Sequence, residues 1–263
     1  MNNKKIVFFD IDGTIYSYGK SVPDDTKEAI RQLRKNGHYA VICTGRTKSM
    51  IFPQISEVGF DGLIGGAGTY VEFQDRVLHE YHLPKAISDE IIKDMRKNDI
   101  FAIPEGIDNI YFDVEKMPES YRYIYNTYIE NVREHVKDIG NRSDITVSKL
   151  SGRFNDESKI EGFIKKYEKD FNIVFHAKYY IEMIPKNYSK AVGIERLISE
   201  LQIPLRNTYA FGDGMNDYEM LNYVNYPVAM GNATEEFKSL IGCVTDDYDK
   251  GGISNALKRF GLI

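Results

Sequence analysis

The chain is poor in cysteine, in charge of one sign and in long apolar runs, and each shortage closes off a class of role. Cys43 and Cys243 are the only cysteines among 263 residues. That is too few for a disulfide framework, and each sits in an apolar stretch that suits a small buried thiol. Lysine plus arginine number 34 against 39 aspartate plus glutamate, a net charge of −5 with histidine neutral. Without a long basic block, this balance gives no footprint for a phosphate backbone or an anionic leaflet, so neither nucleic acid nor membrane is expected as a partner. The apolar run Ile6-Val7-Phe8-Phe9 follows two lysines as a secretory signal would, yet it ends at Asp10, far short of a signal core or a membrane span. A cytoplasmic location is the expectation. Internal repeats, low-complexity tracts and Ser/Gly linkers are also lacking.

What is there is an ordinary globular composition, 42% hydrophobic and 28% charged, in a length that suits one large domain or two modest ones. Lys5 to Phe9 reads as a buried strand and Asp24 to Asn36 as a helix, with Ala29, Ile30 and Leu33 at helical spacing and Gly37 just past its end. Tyr39 to Cys43 repeats the strand, Thr47 to Val58 reads as a helix interrupted by Pro53, and Gly62 to Ile64 as a third strand. The same alternation returns near the C-terminus. Lys190 to Leu201 and Asp217 to Asn222 read as helices, Thr208 to Phe211 and Val224 to Met230 as strands, and Thr234 to Leu240 and Ser254 to Phe260 as closing helices. Continuous apolar strands alternating with helices predict a parallel sheet covered on both faces. Between about Leu83 and Pro185 the pattern changes to long helices (Ala86 to Lys97, Pro118 to Lys137, Glu157 to Asp170) among strand-like pieces at Ile100 to Ile103, Ile173 to His176 and Tyr179 to Ile184. The expected fold class is therefore α/β, a Rossmann-like parallel-sheet core over 1–82 and 186–263 with an α+β domain inserted over 83–185.

The sharpest chemical signal is Asp10-Ile11-Asp12-Gly13-Thr14, directly after the first strand. With a side-chain period of two, Asp10 and Asp12 leave the strand end on one side while Ile11 turns to the core, and Gly13 lets the chain turn away. A carboxylate pair at the C-terminal end of a parallel strand can serve as a hard-metal ligand set or as nucleophile plus acid/base; a solvated turn is the plain alternative. Thr44-Gly45-Arg46 follows the second strand at a helix start and offers a hydroxyl and backbone N–H groups to an anion. Lys190 opens a helix, where its charge opposes the helix dipole unless an anion is near. Gly212-Asp213-Gly214-Met215-Asn216-Asp217 follows another buried strand. Asp213 can reach a metal held by Asp10, and Asp217, one helical turn on, can support it or orient a lysine. Each piece alone has a plain reading, a solvated turn for Asp10 to Thr14, a surface lysine for Lys190 and helix caps for the other two, but four of them at the ends of successive strands are hard to explain as caps.

This set resembles the haloacid dehalogenase superfamily of phosphotransferases, and within it the Cof-like small-molecule phosphatases, over essentially the whole chain. The resemblance implies Asp10 as nucleophile, Asp12 as general acid/base, Thr44 and Lys190 as phosphoryl binders, and Asp213 and Asp217 as acidic metal-site residues. It further implies Mg²⁺ as cofactor, held in part by the Asp12 backbone carbonyl, with the Ile11 N–H, the Gly45 N–H and Asn216 touching phosphate. Spacing selects the branch. Thirty-four residues separate Asp10 from Thr44, too few for an inserted domain, whereas 146 separate Thr44 from Lys190, far more than one crossover needs. The insertion thus lies where the family's second type of cap stands.

Two stretches depart from the family pattern. Ala67-Gly68-Thr69 replaces the Asn-Gly-Ala of the branch, and Lys186-Asn187-Tyr188-Ser189-Lys190-Ala191 replaces a glycine-richer version; neither alters a carboxylate of the set. His79-Glu80-Tyr81-His82 falls one residue short of HExxH and lies on a strand-like stretch, and Gly65-Gly66-Ala67-Gly68 is not a dinucleotide fingerprint. Tyr121, Tyr123, Tyr125 and Tyr128 crowd one helix of the insertion, where packing is their expected role and lining of a substrate pocket by some of them stays open. The activity the resemblance implies is metal-assisted hydrolysis of small phosphomonoesters, a sugar phosphate or similar metabolite, through an aspartyl phosphate. A phosphomutase or phosphotransferase using the same intermediate stays open, as does a phosphometabolite-binding regulator on the same fold.

Overall fold

A computed structural model describes residues 4–140, 142 and 144–263. The first three residues, which open the segment weighed above as a signal, lie outside this range. The chain forms two compact units, one of 1–45, 53–79 and 189–263 and the other of 46–52 and 80–188.

The first unit begins with strand β1 (Ile6–Phe9), helix α1 (Asp24–Lys35), strand β2 (Tyr39–Cys43), the short helix α2 (Pro53–Ser56) and strands β3 (Gly62–Gly65), β4 (Tyr70–Phe73) and β5 (Arg76–Glu80). The second unit contributes α3 (Lys85–Lys97), β6 (Phe101–Glu105), β7 (Ile110–Phe112), α4 (Arg122–Val132), β8 (Val136–Asp138), β9 (Lys149–Arg153), α5 (Ile160–Tyr167), β10 (Phe171–Ala177) and β11 (Tyr180–Pro185). The first unit is then completed by α6 (Lys190–Glu200), β12 (Thr208–Gly212), α7 (Tyr218–Tyr223), β13 (Tyr226–Ala229), α8 (Glu235–Ile241) and α9 (Gly252–Arg259).

The seven-stranded sheet of the first unit has the order β13-β12-β1-β2-β3-β4-β5. Its pairs from β13 to β3 are parallel, and β4 turns back antiparallel on β3. One face buries Ile6, Phe8, Val41, Ile64 and Ala210 against Ile194 and Leu197 of α6, Met220 and Leu221 of α7 and Phe237 of α8. On the opposite side α1 packs on α9 and on β2, presenting Ala29, Ile30 and Leu33, all buried. Both faces are covered, which is why the strands read as unbroken apolar runs.

The second unit carries a six-stranded sheet of order β10-β11-β9-β6-β7-β8, antiparallel except where β8 lies parallel to β7. Its helices α3 and α5 bury Ile91, Ile92, Met95 and Phe163 against Ala102, Leu150, Ile181 and Met183. The alternate residues of the same strands include a buried polar group. Lys149 is buried between Glu105 and Glu182, and Ser151 donates to Glu105.

Three sequence expectations change in detail. The helix expected over 118–137 is α4 flanked by 3₁₀ turns at Glu119–Tyr121 and Arg133–His135, and its last residues form β8. Pro53 opens α2 rather than interrupting a longer helix, as a proline in the first turn can. Cys43 is buried, but Cys243 is only half-buried.

Candidate active site

The register that pairs Phe9 with Ile42 and with Phe211 brings the C-terminal ends of β1, β2 and β12 level. Asp10 leaves β1 with its N–H bonded to the Phe211 carbonyl at 3.0 Å, and the side chain of Ile11 is fully buried. The turn that follows is closed on the Ile11 carbonyl, which accepts from the N–H groups of Thr14, Ile15 and Tyr16 at 3.2, 3.0 and 3.0 Å. Gly13 is where this turn meets β12. Its φ is +78°, and a Cβ there would lie 2.1 Å from Asp213 Oδ2. Gly13→Ala is therefore expected to cost about 1–2 kcal/mol for the left-handed backbone alone and to push Asp213 aside. A displacement of that size at a reacting centre costs activity on the order of 10²-fold; wild-type turnover and metal affinity in the purified variant would refute this.

Lys190 is the hub. Ser189 caps α6 by accepting from the Val192 N–H at 3.3 Å, which fixes the first turn, and the Lys190 ammonium then reaches Asp10 Oδ1 at 2.6 Å and also donates to Asp217. All three side chains are buried. Burial works against the ammonium, yet Asp10 and Asp217 outweigh it and hold the lysine above its ordinary pKa. The paired anions explain why a lysine tolerates a helix N-terminus.

Asp217 spends its other oxygen on the backbone N–H groups of Asp213 and Gly214, at 2.9 and 3.2 Å. It therefore ties the loop after β12 to the lysine. Asp213 is half-buried; burial, then the charge of Asp217, push its carboxyl up to about 7 against the pull of Lys190. Asp10 is raised well above the carboxylate range by burial first and by Asp217 next, with Lys190 opposing.

Asp10, Asp213 and Asp217 each place a carboxylate oxygen within 4.8 Å of the others. Three carboxylates against one ammonium leave an excess of negative charge where solvent is scarce. The donors are all oxygen, and the Cys43 thiol nearby is held protonated by burial. Such a set fits a hard cation. The Asp12 side chain does not belong to this cluster, although its charge acts on both Asp10 and Asp213.

Thr44 is buried at the end of β2, its N–H bonded to the Ile64 carbonyl at 2.9 Å and its own carbonyl accepting from Ala67. Gly45 is half-buried and Asn216 exposed. Sequence reasoning missed the supports. Asn232 donates to the Gly13 carbonyl at 2.9 Å and accepts from the Tyr248 N–H at 2.9 Å, bracing the turn after Asp10 from the β13 side. Gly68 lies against the start of α6, with φ +91° and room for no Cβ, since one would sit 2.3 Å from the Ser189 carbonyl. Gly193 faces it, where a Cβ would sit 2.4 Å from Ile64 Cγ2. An Asn after a strand and an isolated glycine in a helix are the signals available, and neither points to a site by itself.

This order of parts, two carboxylates after β1, threonine after β2, lysine opening α6 and an acidic loop after β12, is matched over residues 7–257 by the model of the haloacid dehalogenase-like hydrolase family. The chain belongs to that family. It is 30% identical to the candidate phosphatase YkrA of Bacillus subtilis, over 99% of each chain. It is 25% identical, over 97% of each, to the same organism's 5-amino-6-(5-phospho-D-ribitylamino)uracil phosphatase YitU. Among solved structures, the subclass IIB sugar phosphatase BT4131 superposes with a TM-score of 0.85 at 28% identity, covering 99% of this chain and 100% of that one. Phosphatases of this superfamily generally use a metal ion, in keeping with the acidic donor set. Among the described residues, no helix is long and apolar enough to cross a membrane.

Proposed function

We propose that this phosphoric monoester hydrolase cleaves small phosphorylated metabolites, sugar phosphates or similar esters, with Asp10 as nucleophile and Mg²⁺ as cofactor. The observation that carries the reading is Lys190, buried between Asp10 and Asp217 with Asp213 alongside. That arrangement is costly for a fold to hold unless a doubly charged anion and a cation are to be gathered there. The relatives support the substrate class, since one is named for a phosphoribityl ester and another for sugar phosphates.

Lys190 engages Oδ1 of Asp10, and the remaining oxygen attacks phosphorus in line. Asp12 protonates the departing oxygen and, once ionised, takes a proton from the water that hydrolyses the aspartyl phosphate. Thr44, the N–H groups of Ile11 and Gly45, Asn216 and Lys190 hold the phosphoryl oxygens. Asp10, the Asp12 carbonyl and Asp213 would hold Mg²⁺, with Asp217 supporting both Asp213 and Lys190. When bound, the cation offsets negative charge on the phosphoryl group. The test is phosphate release from a panel of phosphate esters by the purified protein with Mg²⁺. Turnover of several esters is expected, and a panel with no release under any metal would overturn the reading.

The second unit is proposed to act as a cap that sets preference among esters. Every residue assigned a chemical role lies outside 83–185. Exchanging this segment for that of a related phosphatase is expected to reorder the rates across the panel while small esters are still hydrolysed. An unchanged order in a folded exchange would assign specificity to the core.

A further inference from the structure

The second unit contains a cavity of about 400 Å³ lined entirely by its own residues, none with a role in the chemistry proposed above. It lies at the end of the sheet where β6 begins and β9 finishes. Arg153, on the central strand β9, is in register with Phe101 on β6 and with Tyr180 on β11. Its guanidinium lies 4.0 Å over the Tyr180 ring and 6.0 Å from that of Tyr121. Both rings are pinned, because the Tyr180 hydroxyl donates to Ser151 and the Tyr121 hydroxyl to the Phe154 carbonyl. Phe101 meets Tyr121 at 5.8 Å and completes an aromatic wall.

What this arginine lacks is an anion. Arg96, at the same cavity, is paired with Asp113 at 2.9 Å. Arg153 has no carboxylate partner among the described residues, and its buried Nε has no hydrogen-bond acceptor. Lys116 lines the cavity as a further cation and Asp99 as a further anion. With Arg96 and Asp113 cancelling, the lining carries one surplus positive charge. The guanidinium is a planar fork of N–H donors, the group that receives a carboxylate with two parallel hydrogen bonds. A single surplus charge suits a monoanion better than a phosphate ester, which carries nearly two charges at neutral pH. The volume lies within the range of small-molecule sites and accommodates a ligand of about one ring.

We propose that this cavity binds a small organic carboxylate on a flat apolar body, with Arg153 as the partner of the carboxylate. The test is calorimetric titration of the whole protein with benzoate, and with benzamide as the neutral probe of the same shape. Benzoate is expected to bind at millimolar or lower concentration and benzamide about tenfold more weakly. Arg153→Met should abolish the difference between the two. Lys116→Met, at an exposed position that leaves the fold undisturbed, should weaken benzoate alone. Absence of benzoate binding to the wild-type protein would overturn the proposal, as would equal affinity for both probes. Benzoate binding that survives in Arg153→Met but disappears in Lys190→Met would assign the anion to the carboxylate–lysine centre and overturn it equally.

Discussion

Asp10→Asn is expected to lower turnover of phosphate esters by at least ~10⁴-fold while the protein remains folded. The amide keeps the shape of the carboxylate and can still accept from Lys190, but it cannot attack phosphorus. Stability should not suffer. Burial, then Asp217, raise the pKa of Asp10 in the folded state. Its ionised form therefore opposes folding above the ordinary carboxylate pKa, and that opposition grows as pH rises towards the folded value. A neutral isostere removes this opposition, and Asp217 still holds the lysine, so the thermal midpoint at neutral pH should be unchanged or higher. Asp12→Asn should cost less, ~10²- to 10⁴-fold, because under the proposed mechanism it removes proton transfer and leaves the attacking carboxylate in place. Near-wild-type turnover by Asp10→Asn, with contaminating phosphatase excluded, would end the mechanism.

Exhaustive chelation is expected to abolish hydrolysis, with Mg²⁺ restoring it best and Asp213→Ala raising the metal concentration required by roughly 10- to 100-fold. Undiminished hydrolysis in chelator would rule out the metal. The pH dependence has a defined sign. The Asp213 carboxyl is pushed up to about 7 in the metal-free protein, by burial first and by Asp217 second. Below that pH a proton must leave before a cation can bind, so affinity falls by up to about tenfold per pH unit, while above it affinity is level. The same raised pKa means that metal-free protein loses stability as pH rises from about 4 towards 7, and that added Mg²⁺ restores more at high pH than at low. Melting curves with and without Mg²⁺ at pH values on either side of 7 measure this directly. A stabilisation that is larger on the acid side would contradict the assignment of Asp213.

The strands that carry the site were legible because they are buried on both faces. Ile6–Phe9, Tyr39–Cys43 and Thr208–Gly212 carry no charged side chain and are buried almost throughout, and the residues that follow them are polar for reasons no core can supply. The hairpin of β4 and β5 was not legible. Its turn residues, Gln74 and Asp75, take φ of +47° and +63°, and hairpin turns of that kind usually advertise themselves with glycine or asparagine. β8 was read as the end of a helix because its sequence, Val136-Lys137-Asp138, carries no strand period of its own; pairing with Ile110–Phe112 decides it. Within the site, carboxylates and lysine were found by type and position. Asn232, Gly68 and Gly193 were not, since what they supply is a brace and two close approaches that only the folded chain defines.

The place of β1 in its sheet has a consequence for how the molecule is made. β1 lies between β2 and β12, and its register pairs Ile6 with Tyr39 on one side and Thr208 on the other. During synthesis the first edge can be satisfied almost at once, but the second waits for a partner about two hundred residues downstream, roughly 10 to 40 s at ribosomal speed. Throughout that interval an apolar strand ending in Asp10 presents open backbone groups, while the sheet of the second unit, contiguous from 80 to 188, can already close. Asp10 thus emerges about two hundred residues before the strand that completes its surroundings, and over that span the nascent chain carries an open apolar strand edge.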